Sequence, residues 1–467
     1  MVFSSLPFLY VFLPIVLICY YLAPRKFRNA VLLLSSLLFY FYGEPRYTVL
    51  LIVSSIADFI FGLKIEKNRG KKSAKAWLVG SISLNLVMLG FFKYIDFFIN
   101  TFNSIAGTGF EPLGIALPIG ISFFTFQTMS YTIDVYRGNV KAQRNLSTFA
   151  TYVCLFPGLI AGPIVRYSEI SVELESRKER IADISDGIRR FCVGLLKKVL
   201  IANMFGELIE IFRGSNESTV LFHWMYAFAF AFQLYFDFSG YSDMAIGLGK
   251  MFGFKFPENF NYPYISKSIT EFWRRWHMTL GNWFKDYVYI PLGGNRVRLP
   301  RWVLNIMIVW MLTGFWHGAD WNFIIWGGMM GAFLLIERFF IGNILKKIGP
   351  VLPRLYMIFI IVISFVIFNG EGFSGTMVDL GGLFGVGESI ALTGAESLYY
   401  LRSFAFVFIF AAIFSTPIAK IAAEKALGSK HGEKVALLQP LLVGVILILV
   451  TGMLVAGSFN PFLYFRF

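Results

Sequence analysis

The chain has 467 residues, of which 57% are hydrophobic and only 15% are charged, and its mean hydropathy is +0.65. This composition excludes a water-soluble domain and predicts an all-α polytopic membrane protein. The formal net charge of +14 does not indicate a nucleic-acid partner, because the sequence has no long basic arm and no recognisable nucleic-acid-binding module. Its excess of Lys and Arg fits the cytoplasmic loops of a membrane protein instead.

Apolar segments recur along the whole chain. The first, Phe3 to Ala23, has 21 uncharged residues and no basic flank before it, so we expect it to remain as a span rather than to be cleaved as a signal peptide. Several later segments are shorter than the roughly 20 residues that a membrane helix needs. We therefore expect roughly ten to twelve transmembrane helices plus re-entrant helices, all within one integral membrane domain covering residues 1–467.

The loop from Lys64 to Lys75 gives the strongest orientation signal. It contains six basic residues and a single acidic one, Glu66. Loops rich in Lys and Arg stay in the cytoplasm, so this loop should be cytoplasmic. Two spans earlier, Arg25, Lys26 and Arg28 then fall on the same side, which places the N-terminus outside a plasma membrane.

Two carboxyl groups follow next, in the segment Gln233 to Asp243. Asp237 and Asp243 lie among aromatic residues at the end of an apolar span. Acidic groups in such places either line a polar path or pair with a nearby Arg or Lys. Of these two interpretations we favour structural pairing.

The segment from Glu271 to Asn282 reads E-F-W-R-R-W-H-M-T-L-G-N. If it is one helix, His277 shares a face with Trp273 and Arg274. The chain should then break at Pro291 and Gly293. Trp and Arg are also common at membrane interfaces, so this segment alone is more typical of an interfacial belt than of a site.

His317 lies deep in the apolar stretch from Trp302 to Gly328. A helix through the preceding residues places it on one face with Thr313, while Gly318 and Asp320 predict a helix stop followed by the N-cap of a new helix. Ionisable side chains at membrane depth usually face a protein interior or a wet cavity and are functional candidates. The alternative is an interfacial histidine beside an ordinary loop, and this stretch does not decide between the two.

Known soluble catalytic signatures are absent from the sequence. It has no Walker A motif, no G-x-S-x-G and no H-E-x-x-H. Cys19, Cys154 and Cys192 lie in apolar stretches without metal-ligand spacing, so we expect buried thiols and no metal. The residues by themselves leave three functions open: an enzyme, a transporter or flippase with a proton-coupling histidine, and a structural subunit of a polysaccharide-export complex.

Three motifs taken together carry a family resemblance: F-D-F-S-G-Y-S-D, E-F-W-R-R-W-H with its P-L-G-G-N-R tail, and T-G-F-W-H-G-A-D-W-N-F-I-I-W-G. They resemble the membrane-bound O-acyltransferases. The similarity is greatest to the bacterial branch that contains the membrane subunit of alginate O-acetyltransferase and related cell-wall polysaccharide acyltransferases. It extends from V-F-S-S-L-P-F-L-Y at the start of the chain to N-P-F-L-Y-F-R-F at its end.

The resemblance implies helices around a central tunnel, with a cytoplasmic thioester donor and an acceptor on the other face. It implies that the donor is acetyl-CoA or an acyl-carrier thioester, that no cofactor is tightly bound, and that His317 and His277 are catalytic. Tunnel candidates are Arg274, Trp276, Asp237 and Trp316. We expect O-acetylation of a polysaccharide in a bacterial plasma membrane, in contact with lipid, as in alginate-like biosynthesis.

Two further expectations concern the acceptor side. The stretches from Arg166 to Arg190 and from Asn369 to Tyr399 are too short to fold a carbohydrate-binding domain, so we expect a separate extracytoplasmic acyltransferase or esterase-like partner. The sequence also departs from the family pattern: Phe365 and Asn369 stand where the resemblance predicts Trp and Arg. Any contact that those two family side chains make is therefore in doubt here.

Overall fold

A computed structural model describes residues 2–387, 390–430, 432–457 and 463. Helices dominate these residues and no β-strand occurs among them, which confirms the all-α prediction. The closing motif N-P-F-L-Y-F-R-F lies outside the described residues except for Leu463. The chain divides into two compact units, Met1–Phe191 with Ser242–Glu258 and Cys192–Tyr241 with Asn259–Phe467.

The α-helices are numbered in chain order. The first ten are α1 Leu13–Leu22, α2 Arg28–Gly43, α3 Thr48–Lys67, α4 Lys72–Ala106, α5 Ile121–Arg137, α6 Leu146–Cys154, α7 Phe156–Leu159, α8 Tyr167–Glu175, α9 Ile181–Leu196 and α10 Asn203–Gly214. The remaining eleven are α11 Val220–Met251, α12 Ile269–Trp273, α13 Met278–Phe284, α14 Leu299–His317, α15 Trp321–Ile336, α16 Gly342–Lys347, α17 Val351–Phe368, α18 Gly372–Leu383, α19 Ala395–Phe414, α20 Ile418–Leu427 and α21 Gly432–Ala456.

Shorter turns join some of these helices. The 3₁₀ turns are Arg25–Phe27 and Pro263–Ile265, and the π-helical segments are Phe8–Phe12, Lys197–Ala202, Lys285–Tyr289 and Glu337–Ile341. π-Helical turns inside α-helices are rare and often occur at functional sites. The segment Lys285–Tyr289 is the one that bears on the site below.

Seven helices among the described residues are long and apolar enough to cross a membrane: Thr48–Lys67, Lys72–Ala106, Leu299–His317, Trp321–Lys347, Val351–Phe368, Ala395–Phe414 and Gly432–Ala456. The chain is therefore a multi-pass membrane protein. The shorter apolar helix Phe8–Leu22 falls within the segment expected to form the first span. A total of ten to twelve crossings would require this helix and others of its length to cross as well.

In the first unit, a buried polar cluster joins three helices. Asp58 of α3 is fully buried and accepts hydrogen bonds from Ser81 Oγ at 2.7 Å and from Asn85 Nδ2 at 2.9 Å, both on α4. Thr128 and Thr132 of α5 complete the cluster through Asn85 Oδ1 and Ser81 Oγ. A carboxyl group in an apolar environment requires such partners, so the cluster fixes how the three helices pack.

The same unit contains the predicted partner of Asp243. Arg190 donates a hydrogen bond to Asp243 Oδ1 at 2.9 Å and also pairs with Glu258. The structural role predicted for this carboxyl group is thus confirmed by a direct ion pair.

In the second unit, the core is an aromatic cluster. Trp276 stacks on Phe272 with ring centroids 5.4 Å apart and also contacts Tyr235 and Phe365. Such pairs contribute roughly 0.5–1.5 kcal/mol each beyond their buried area. This cluster supports the short helices α12 and α13, which are too short to be stable alone.

Candidate functional site

A cavity of about 180 Å³ lies within the second unit. Most of the wall is aromatic or aliphatic, and the polar exceptions include both histidines. The lining residues are Trp273, Trp276, His277, Leu280, Gly281, Phe284, Lys285, Tyr289, Val309, Trp310, Thr313 and His317.

His317 is the last residue of α14, as the sequence predicts. Its imidazole is surrounded by aromatic rings: the centroid lies 5.0 Å from that of Trp316, 5.5 Å from that of Trp326 and 5.3 Å from that of Phe368. The residue is only partly buried. Its imidazole is therefore packed in a defined position while part of its surface stays accessible to a ligand.

The turn after His317 depends on two glycines and a cap. Asp320 accepts a hydrogen bond from the backbone N–H of Trp321 at 2.5 Å, so it caps α15 as predicted. Gly318 ends the helix with an extended backbone. It is required for space, because a Cβ there would lie 2.0 Å from the Phe323 ring. One turn earlier, a Cβ on Gly314 would lie 2.2 Å from the carbonyl oxygen of Phe323.

The second histidine does not lie on a continuous helix, contrary to the sequence-based expectation. Helix α12 ends at Trp273, and His277 has φ +44°, in the left-handed region, as the residue before α13. Non-glycine residues with positive φ are uncommon and cost of order 1–3 kcal/mol, which the surrounding structure must supply. The strained backbone directs the side chain of His277 into the cavity wall.

Asn259 fixes the protonation of this imidazole. Its Oδ1 atom accepts hydrogen bonds from Thr279 N at 3.3 Å and Thr279 Oγ1 at 2.9 Å, and it lies 3.0 Å from His277 Nδ1. A backbone N–H can only donate, so this Asn259 atom is the oxygen. The oxygen can only accept, so Nδ1 of His277 carries a proton and donates it. The lone pair of the neutral ring is therefore on Nε2.

Burial keeps that ring neutral. His277 is outside the membrane-spanning helices, and its removal from water, together with the nearby His317, lowers its pKa well below the ordinary value. Its Nε2 atom is buried and has no hydrogen-bond partner among the described residues, and the same is true of Trp273 Nε1. The site thus contains one buried acceptor and one buried donor that a bound ligand or water would satisfy.

One histidine lies at the start of α13 and the other at the end of α14. His277 precedes α13 and His317 ends α14, whereas Lys285 and Tyr289 follow α13 in the π-helical segment. The Tyr289 hydroxyl accepts a hydrogen bond from Trp302 Nε1 at 2.9 Å, near the start of α14. The cavity therefore has its two histidines at one end and Lys285 with Tyr289 toward the other.

The remaining predicted residues take different places. Trp276 lines the cavity, and Trp316 packs against both histidine rings without being a lining residue. Arg274 is exposed and does not line the cavity. Asp237 forms a buried ion pair with Lys198 at 2.7 Å and accepts the backbone N–H of Leu463 at 2.9 Å, so it does not line the cavity either.

The two positions that depart from the family pattern lie beside the site. Phe365 is buried in the aromatic cluster against Trp276. Asn369 donates a hydrogen bond to the Tyr226 hydroxyl at 2.9 Å, and that hydroxyl also accepts one from Arg213 at 2.7 Å. A guanidinium group is thus present next to Asn369, although it comes from α10.

Sequence reasoning missed several of these residues. Asn259, Lys285, Tyr289 and Trp310 were assigned no role. Lys285 and Tyr289 are four residues apart, which could have suggested that these two share a helix face, although this spacing does not include His277. Nothing in the sequence indicates the contact of Asn259 with His277, because it joins residues 18 apart through a loop.

Comparison with known proteins gives consistent similarities. Residues 139–377 match the family model described as "MBOAT, membrane-bound O-acyltransferase family". A protein of Azotobacter vinelandii named "Probable alginate O-acetylase AlgI" is 38% identical over 100% of both chains. The peptidoglycan O-acetyltransferase of Helicobacter pylori is 34% identical over 86% of this chain and 83% of that protein. The teichoic acid D-alanyltransferase of Bacillus subtilis is 32% identical over 48% of this chain and 59% of that protein.

Proposed function

This chain belongs to the membrane-bound O-acyltransferase family and is an O-acyltransferase, and from that premise we propose that it transfers acetyl groups from a cytoplasmic thioester to a polysaccharide outside the cell. The observation that carries the proposal is the pair of histidines on one cavity wall, one of them with its Nε2 lone pair buried and unpartnered. Acyl transfer to a hydroxyl group needs a general base, and histidine titrates closest to neutral pH; we assign this role to the partly buried His317 and an orienting role to His277.

In the proposed reaction, His317 removes the proton from the hydroxyl group of the acceptor, and the oxygen of that hydroxyl attacks the carbonyl carbon of the thioester. The C–S bond of the tetrahedral intermediate then breaks, and the proton on His317 passes to the leaving thiolate. The Trp273 indole N–H, which has no partner among the described residues, is suited to donate a hydrogen bond to the carbonyl oxygen as it becomes negative. His277 Nε2 is suited to accept a hydrogen bond from the acceptor and so to orient it.

Charge supports the direction of transfer. Arg296, Arg298 and Arg301 stand at the start of α14, and Lys346 with Lys347 ends the span Trp321–Lys347. Because α14 and α15 pack against each other and are joined at the His317 turn, these basic groups belong to the same end of the helix pair. The positive-inside rule makes that end cytoplasmic. The thioester would then enter from the cytoplasm and meet the histidines toward the far end of α14.

The acceptor assignment comes from the relatives. Two of them are named for acetylation of alginate and of peptidoglycan, both polysaccharides. We infer that this chain also serves a polysaccharide in a bacterial plasma membrane. A separate extracytoplasmic protein would deliver the acetyl group to it, since the stretches Arg166 to Arg190 and Asn369 to Tyr399 are each shorter than the roughly 50 residues of a small domain.

The test uses the purified protein in sealed lipid vesicles with acetyl thioester on one side and polysaccharide on the other. We expect release of free thiol and acetylated product, with full rates only when the exported partner is added. Intact thioester recovered on the far side would instead indicate a transporter. Acetylation of the polysaccharide at cellular rates without any second protein would contradict the proposal of an exported partner. It would leave the proposed acetyl transfer intact.

A further inference from the structure

Glu337 is a buried carboxyl group inside a helix that is long enough to cross the membrane. It lies in the span Trp321–Lys347, its side chain is only 5% exposed, and it forms no salt bridge with any residue that the structure describes. An ionisable group at membrane depth is costly and is retained where it has partners or a function. The partners of Glu337 therefore indicate what it does.

Those partners belong to the first turn of α12, a helix of only five residues. Glu337 Oε1 accepts the backbone N–H of Ile269 at 2.5 Å, and Oε2 accepts the backbone N–H of Thr270 at 2.9 Å and the Thr270 hydroxyl at 2.7 Å. The first N–H groups of a helix have no partner within that helix, so where water is excluded an acceptor from outside has to satisfy them. One side chain of the span thus binds two successive N–H groups at the start of α12.

The other end of α12 is Trp273, whose ring packs against α14 and α15. Its centroid lies 4.8 Å from that of Trp310 and 5.5 Å from that of Trp326. The Trp326 ring is in turn 5.5 Å from the imidazole of His317. From its first residue to its last, α12 rises only about 6 Å. A shift of the turn that Glu337 binds would therefore also move the indole of Trp273.

Helix α12 depends on anchors of this kind because a helix of five residues is not stable alone. The Ser268 hydroxyl caps it, by accepting the N–H of Glu271 at 3.0 Å, but Ser268 belongs to the same segment and would move with it. Arg354 of α17 donates a hydrogen bond to the carbonyl of Ile265, in the turn before α12. Glu337 joins α12 to the helix that carries Trp326.

We propose that Glu337 is a positioning residue for acyl transfer: it fixes α12 against the span Trp321–Lys347 and so directs the indole N–H of Trp273 toward the carbonyl oxygen of the thioester. This inference rests on the proposed function and adds to it a residue that does not line the cavity. A carboxyl group suits the role because each of its two oxygens accepts one backbone N–H. Glutamine has a single acceptor oxygen, and its NH₂ group can only donate.

The kinetic test is Glu337→Gln, which keeps the size of the side chain but turns a donor toward an N–H group. We expect kcat to fall about 10- to 100-fold with KM unchanged, because a misplacement of about 1 Å can cost 100-fold and the contact is made only in the transition state. Glu217→Gln is the matched control. Glu217 likewise accepts two successive N–H groups, of Glu396 and Ser397, at the start of α19, which contributes no residue to the cavity, so kcat should stay at the wild-type value.

A double-mutant cycle separates positioning from general destabilisation. Trp273→Phe removes the indole N–H that Glu337 is proposed to direct. In that background Glu337→Gln should lower kcat by less than about threefold, because two changes that act through one group are not additive. The same 10- to 100-fold loss in both backgrounds would overturn the proposal, because Glu337 would then act independently of Trp273.

A spectroscopic measurement tests the inference without acyl transfer. In protein labelled with fluorotryptophan, the fluorine NMR resonance that is absent from Trp273→Phe belongs to Trp273. A shift of this resonance in Glu337→Gln but not in Glu217→Gln would support the positioning role even if no acetyl transfer is found. An unchanged resonance would overturn the role even if transfer proceeds normally.

A milder pair of variants serves if Glu337→Gln does not accumulate in the membrane. Thr270→Val removes only the hydroxyl that binds Glu337 Oε2, whereas Thr270→Ser keeps a hydroxyl there. We expect the Trp273 resonance to shift in the valine variant and to keep its wild-type position in the serine variant. No shift in either variant would overturn the proposal.

Discussion

Asn259 and His277 form a hydrogen bond whose direction is determined by a third residue. The Asn259 Oδ1 atom lies 3.0 Å from His277 Nδ1, and it also accepts the backbone N–H of Thr279. Nδ1 must therefore donate, and Nε2 is left with its lone pair toward the site. Histidines in enzymes are commonly fixed in one tautomer by a partner of this kind, so Asn259 is a positioning residue for the proposed chemistry.

The first prediction is that Asn259→Asp moves the acidic limb of the pH–rate profile upward. The wild-type pKa of His277 is lowered by burial, so the ring stays neutral well into the acid range. A carboxylate at position 259 would keep the hydrogen bond but favour the imidazolium, which raises that pKa. Activity should then be lost at a higher pH than in the wild type. Asn259→Ala, which removes the acceptor without adding charge, should lower kcat without such a shift.

The second prediction is that His317→Gln lowers kcat by at least about 100-fold, the usual contribution of a general base. Gln keeps much of the packing against Trp326 and Phe368 but cannot take up a proton. The melting temperature in detergent should stay close to that of the wild type. His223→Gln, which alters a histidine outside the cavity, is the control. Wild-type rates in His317→Gln at normal membrane levels would refute its catalytic role.

The third prediction concerns the packing of α14 on α15. Gly314→Ala should destabilise the protein by about 1–3 kcal/mol, the usual cost of overpacking, since the added Cβ would meet the Phe323 carbonyl oxygen. Gly444→Ala in α21 adds the same atom where nothing lies within 4 Å and should leave stability unchanged or slightly higher. Thermal unfolding of both variants in the same detergent tests the difference.

The fourth prediction is that an ion pair in the first unit gives acid-dependent stability. Burial alone would raise the pKa of Glu179, but its hydrogen bonds with Tyr20 and Arg28 hold it below the ordinary value. The stabilisation should therefore be complete above the unfolded pKa of about 4.3 and lost as pH falls through the lower folded value. Glu179→Gln should melt below the wild type at pH 7, and the two curves should converge at the most acidic pH that the detergent tolerates.

The fifth prediction concerns topology. A cysteine introduced between Lys64 and Lys75 should react with a membrane-impermeant maleimide only in inverted vesicles, because this loop is the most basic in the chain. Cys154 and Cys192 are buried as predicted, but Cys19 is exposed, contrary to the prediction, and should first be replaced by serine. Labelling in intact cells would reverse the proposed orientation of the N-terminus.

Hydropathy was sufficient to predict the helical membrane fold, because a chain in a bilayer has to satisfy its backbone groups within helices. The turn after His317 was also predictable, because Gly318 and Asp320 end one helix and cap the next through local interactions. The backbone conformation at position 277 was harder to predict. Its left-handed backbone depends on contacts with Asn259 and the aromatic cluster, and local propensity favours a continuous helix through E-F-W-R-R-W-H. Long-range contacts of that kind leave no periodic signal in one sequence.

The cavity illustrates the same limit for function. His277, His317 and Trp276 were selected from motifs, and the structure brings all three to one wall. Lys285 was assigned no role, because the sequence does not show which residues line the cavity. Its significance depends on the cavity beside it, which forms only when α13 and α14 are packed.

The buried cluster around Asp58 has a consequence for the synthesis of this protein. The helix Thr48–Lys67 carries a carboxyl group whose partners Asn85 and Thr128 are made later, on two other helices. An acidic residue at the centre of a lone helix costs about 2.5–3.5 kcal/mol on insertion scales. We therefore expect the nascent helix to remain at the translocon or bound to an insertase, shielded from lipid, until the chain past Thr132 has emerged from the ribosome.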